Sequence, residues 1–93
     1  RNRKPIMVNE LTRAKVLEAV LGERERQDNL HGDSNLNNTD AGWFVILGEE
    51  MGEVAKDILE HDREHMYREV IECAAVCFAW AEAFINNEIV LKD

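Results

Sequence analysis

Between Glu69 and Ile85 the chain runs Glu-Val-Ile-Glu-Cys-Ala-Ala-Val-Cys-Phe-Ala-Trp-Ala-Glu-Ala-Phe-Ile, with two carboxylates at the head of an apolar stretch. At about 100° of rotation per helical residue, the row through Glu69 and Glu72 continues into Val76, Trp80 and Ala83. The pattern predicts a helix buried on more than one side, and one too short to cross a membrane. Its carboxylates point where a core should lie, and carboxylates are almost never fully buried without a partner. A second acidic group, Glu49-Glu50-Met51-Gly52-Glu53, lies in the preceding helical stretch. A divalent cation shared between the two groups is the leading explanation.

The remaining pattern is also helical. No repeat, low-complexity tract or strand alternation is present, and Pro5 is the only proline. Asn9 is a candidate N-cap for a first helix to about Asp28, and the polar run Asn29 to Asn38 reads as a loop. Thr39 or Asp40 can cap a second helix to about His61, and Asp62 a third to about Ile85, where Asn86-Asn87 should interrupt it. Gly48 and Gly52 each weaken a helix interior by roughly 1 kcal/mol relative to Ala, which suggests close approach of another backbone or a ligand. The expected fold is all-α: three helices with an antiparallel helical hairpin, assembling into an oligomeric bundle. Residues 1–93 form a single domain in this reading, with 1–8 and 88–93 as flexible or interface arms.

Charge narrows the partners. Nineteen acidic residues face 11 Lys and Arg, a formal net charge of -8. Nucleic-acid binding rests on cationic contacts to phosphates, so nucleic acid is not expected. A phosphorylated small molecule would need metal ions to bridge it to so acidic a protein. Cys73 and Cys77, four apart in the apolar run, read as small core side chains, and a disulfide framework is not expected. The polar start, Arg1 to Lys4, does not resemble a signal peptide. A cytoplasmic location without membrane attachment is therefore expected.

On the second helix Glu49, Glu60, Glu53, Asp57 and Glu50 fall, in that angular order, within an arc of roughly 100°. The apolar face of Trp43, Val54, Leu47, Ile58 and Met51 begins beside Glu50. Glu60 reads as surface charge. Glu50 and Glu53, one turn apart near the seam, can converge on an ion with Glu69 and Glu72, while Glu49 lies farther round as an auxiliary carboxylate. An all-oxygen cluster suits Mg2+, with Mn2+ as a substitute, whereas zinc and copper usually recruit His or Cys. Helical di-iron sites use Glu-x-x-His pairs, which this chain lacks. Asp62 and His65, at a helix start, read as capping or solvated groups.

Glu49-Glu50-Met51-Gly52-Glu53 followed by Glu69-Val70-Ile71-Glu72 resembles the Glu-Glu-x-x-Glu and Glu-x-x-Asp signature of the MazG-like all-α nucleoside triphosphate pyrophosphohydrolases. Glu23-Arg24-Glu25-Arg26-Gln27, His31-Gly32, Trp43 and Ala74-Ala75-Val76 through Ala79-Trp80 extend the likeness to small single-domain members from phages and bacteria, over roughly Leu21 to Phe84. Glu72 departs from the pattern, one methylene longer than the usual Asp. The resemblance implies a Mg2+-dependent hydrolase of nucleoside triphosphates, with Glu50, Glu53, Glu69 and Glu72 as ligands and a homodimer or homotetramer as the assembly.

In that scheme a metal-activated water attacks, and Glu49, or an acid such as Glu50 or Glu53 released from ligation, accepts its proton. Arg24, Arg26 and Lys56 are candidate cations for the transition state, and Gln27, His31 and Trp43 candidate contacts to the base. The alternative is a non-catalytic nucleotide- or cation-binding helical module with a regulatory or interaction role.

Overall fold

A computed structural model describes the backbone of residues 6–32 and 38–92, and the side chains of 9–32 and 38–87. It is all-helical, with α1 spanning Ile6–His31, α2 Asp40–Leu59 and α3 Arg63–Lys92, and no strand among the described residues. None of these helices is long and apolar enough to cross a membrane.

Several boundaries follow their expected signals. Thr39 caps α2, its Oγ1 accepting the Gly42 N–H at 3.0 Å, and Asp62 caps α3 by accepting the His65 N–H at 3.1 Å. Between α2 and α3 the His61 N–H donates to the Ile58 carbonyl and the Asp62 N–H to the Asp57 carbonyl, a Schellman termination. His61 sits there at φ 58°, in the left-handed region that usually favours glycine.

Three boundaries differ. Asn9 does not cap α1, which already begins at Ile6. The first residues of the expected loop, Asn29 to His31, continue α1 until Gly32 ends it at φ 58°, and 33–37 lie outside the described residues. Asn86-Asn87 does not interrupt α3, which runs on to Lys92. Asparagine costs a helix only about 0.7 kcal/mol, and no glycine or proline stands nearby to add to it.

α3 packs against both other helices, while the backbones of α1 and α2 do not approach each other among the described residues. The core is accordingly split. Trp43, Val76, Ala79 and Ala83 form one buried cluster between α2 and α3, flanked by Ile46, Leu47 and Trp80. Val20, Ile71 and Ala75 form the other, between α1 and α3. Polar contacts reinforce both joints: the Trp80 indole N–H donates to Asp40 at 3.0 Å, and Arg24 ties α1 to Glu82 of α3 at 2.7 Å. The alanines of α3 let the helices approach closely but contribute little apolar area themselves. Much of the apolar surface remains uncovered, including Leu11, Leu17 and Leu21 on α1 and Phe44, Met51, Ile58 and Leu59 on α2.

The radius of gyration, 15.9 Å, exceeds the roughly 12 Å of a compact chain this long. The accessible surface, 7244 Å², likewise exceeds the about 5,500 Å² expected for a compact monomer of this mass.

Candidate metal centre

The buried stripe of α2 runs through Trp43, Ile46, Leu47, Glu50, Val54 and Asp57, with Met51 and Ile58 exposed beside it. Relative to the expected apolar face, the buried side is rotated toward the acids. Glu50 therefore points into the seam with α3, where Glu69 is buried and Glu72 half-buried. One carboxylate oxygen from each of Glu50, Glu69 and Glu72 lies within 4.8 Å of the other two, a group able to hold a metal ion.

Electrostatics mark the same three residues. Burial, a contact to Glu69, and the charges of Glu72 and Glu69 push the Glu50 carboxyl up to about 8. Glu72 is also raised, first by burial and then by the charges of Glu69 and Glu23. Glu69 Oε1 is buried and takes no hydrogen bond. Three converging acids with an orphaned buried oxygen are a poor arrangement without a cation and a good one with it. The donor set is entirely oxygen, which fits a hard divalent ion.

Not every expected ligand joins this group. Glu53 is exposed and lies outside it, as does the exposed Glu49. Glu60 is on the surface as expected. Trp43 is 3 % exposed, within the α2–α3 core. Arg24 is held by Glu82, Gln27 and Asp28. Gln27 also donates to Glu23 at 3.3 Å, while His31 and Lys56 are exposed. At neither Gly48 nor Gly52 would an added Cβ meet another atom within 4 Å, so the expected close approach is absent within the described chain.

Other residues enter the picture unannounced. Asp57, 3 % exposed, receives the His65 Nδ1–H at 2.7 Å. That hydrogen bond raises the His65 imidazole above its ordinary range, against desolvation and the Arg68 charge and with the charges of Asp57 and Glu69 adding to it. His65 is thus a partner of Asp57 as well as the capped residue expected at this helix start, with its side chain 38 % exposed. From α1, Glu23 adds a further negative charge beside Glu72. Its carboxylate accepts two bonds from Arg26, at 2.9 and 2.6 Å, and those bonds keep it below the usual glutamate range despite burial. The signals were present: Asp57 follows Glu50 by seven residues, only about 20° apart on a helix, and Glu23 lies three after the core residue Val20.

Cys73 is half-buried and Cys77 exposed, so neither is the core side chain expected, and both are free thiols. Burial, followed by the charges of Glu50 and Glu69, raises the Cys73 thiol, which makes it a poor thiolate ligand.

No protein-family model matches the chain, and neither a curated relative nor a solved structure matches it significantly.

Proposed function

We propose that the chain is a Mg2+-dependent pyrophosphohydrolase of the MazG-like kind, converting a (d)NTP and water to the (d)NMP and pyrophosphate. The observation that carries this reading is the convergence of Glu50, Glu69 and Glu72 within 4.8 Å at a buried seam. Their spacing in the sequence is that of the family signature, and the residues fit a hard cation. Mn2+ would serve as a substitute. Glu50, Glu69 and Glu72 would hold the ion, with Glu53, exposed one turn from Glu50, as the fourth ligand that the resemblance implies.

When bound, the ion offsets the triphosphate charge and lowers the pKa of a coordinated water. Water oxygen bonds to the α-phosphorus, the bridge to the β-phosphate breaks, and pyrophosphate leaves. Glu49, or an acid released from ligation, would accept the proton from that water. Arg26, once released from Glu23, and Lys56 would serve as cations for the phosphates, with Gln27 and His31 as contacts to the base.

In this reading the whole chain is one cytoplasmic domain, α2 and α3 form an antiparallel hairpin, and a second copy or more completes the bundle. What supports an assembly is the apolar surface left exposed on α1 and α2, including Leu11, Leu17, Leu21, Phe44, Met51 and Ile58.

Incubation with Mg2+ and a panel of common nucleoside triphosphates tests the activity. Pyrophosphate release from at least one is expected, abolished by Glu69→Gln and strongly reduced by Glu53→Gln. Silence across the panel would sink the enzyme reading. The alternative is a nucleotide- or cation-binding helical module without catalysis. Mg2+-dependent stabilisation without turnover would establish that instead.

A further inference from the structure

Asp57 is buried on the same stripe of α2 as Glu50 but does not join the acid cluster. It faces His65, the first-turn residue of α3, whose Nδ1–H it receives at 2.7 Å. That bond fixes the ring and turns its other nitrogen toward the cluster: Nε2 lies 3.8 Å from Glu69 Oε2, one helical turn along α3. The side chain of Glu69 is only 10 % exposed. Its two oxygens are divided, Oε2 toward His65 and Oε1 buried without a partner. A carboxylate with one oxygen 3.8 Å from a held imidazole nitrogen and the other free is oriented in advance for a ligand on the free side.

We infer that Asp57 and His65 form a strut that positions Glu69 for metal binding. His65 is a positioning residue, acting only through Glu69, and Asp57 positions His65. The inference rests on the metal-centre reading above. Partners of this kind typically change metal affinity by about 10- to 100-fold when removed. The strut also explains a buried carboxylate that the cation does not need, since Asp57 is otherwise an unprofitable charge at the end of α2.

Substitutions at His65 separate the strut from mere packing. Asparagine keeps a donor near the Nδ1 position, facing Asp57, but has nothing to reach Glu69. Glutamine keeps a donor near the Nε2 position. Mn2+ binding to the full chain, followed by the electron-paramagnetic signal of free Mn2+, is measured beside the melting temperature. His65→Asn is expected to melt near the wild type yet bind Mn2+ about tenfold more weakly, with His65→Gln close to wild-type affinity and His65→Ala as weak as Asn. Equal affinity in wild type, Asn and Ala variants would overturn the strut and leave the metal centre standing. Absence of Mn2+ binding in the wild type overturns both. If His65→Asn does not fold, His65→Gln against His65→Ala decides: retained affinity in Gln alone supports the strut, and equal affinity in the two overturns it.

Discussion

Replacing Glu50 by Gln should stabilise the metal-free protein. The Glu50 carboxyl is raised from 4.5 to about 8, first by burial and then by Glu69 and Glu72. A group with a raised folded-state pKa binds more protons folded than unfolded between those two values. The stability it contributes is fully present below about 4.5 and is lost as pH rises through about 8. At about 1.4 kcal/mol per pH decade the full gap would be worth almost 5 kcal/mol. Glu50 is partly open to water, and screening brings the figure to about 2 kcal/mol. Glutamine keeps the shape and loses the titration.

Thermal melts of both proteins in chelator, at about pH 5 and about pH 8.5, give the test. The two should melt together at the lower pH, and Glu50→Gln should melt roughly 10 °C higher at the upper one, since 1 kcal/mol shifts a domain this size by about 4–8 °C. Saturating Mg2+ should raise the wild type at the upper pH and leave the variant nearly unmoved. Wild type and variant melting together at about pH 8.5 in chelator would refute the claim that the three carboxylates strain the fold.

Three further outcomes follow from particular positions. His61→Gly should raise stability by about 1 kcal/mol by relieving the left-handed backbone, read as a denaturation midpoint shifted upward with an unchanged slope. Gly48→Ala and Gly52→Ala should each stabilise by up to about 1 kcal/mol, since nothing lies near either position; a destabilising result would place a second copy against that face. Light scattering at micromolar concentration should find a dimer or tetramer, and a stable folded monomer would contradict the assembly.

Helix content and the α2–α3 joint were legible because the apolar row of α3 is long and regular and both caps, Thr39 and Asp62, are standard N-cap residues. The ends of α1 and α3 were not. Weak local preferences at Asn9 and Asn86-Asn87 are worth tenths of a kcal/mol, and continuation of a helix costs less than that pattern suggests. At the acidic cluster, the row through Glu69 and Val76 did bring carboxylates to the seam, Glu69 buried and Glu72 half-buried. Glu53 was less well placed because the buried side of α2 turned out to be centred on Glu50, putting Asp57 inside and Glu53 out. The His65–Asp57 contact spans the helix junction, and no periodicity within one helix can reveal it.

The geometry of the junction links stability to the centre. The Asp57 backbone carbonyl accepts the Asp62 N–H that closes the Schellman turn. The Asp57 carboxylate holds His65, one turn from Glu69, and the Asp62 carboxylate caps the same first turn of α3. A single three-residue connection therefore sets the register of α3 against α2, and with it the distance from Glu50 to Glu69 and Glu72. The arrangement compensates for a thin core. Two clusters that share only α3 would tolerate sliding of one helix along another, and alanine-rich contacts resist it weakly. Anchoring the register at the turn, next to the acids, keeps the three carboxylates together despite their mutual repulsion. Loosening the turn should therefore disperse the acids before it unfolds the chain, so that Asp62→Ala, worth about 1 kcal/mol of stability as a cap loss, weakens Mn2+ binding by more than the melting shift alone accounts for.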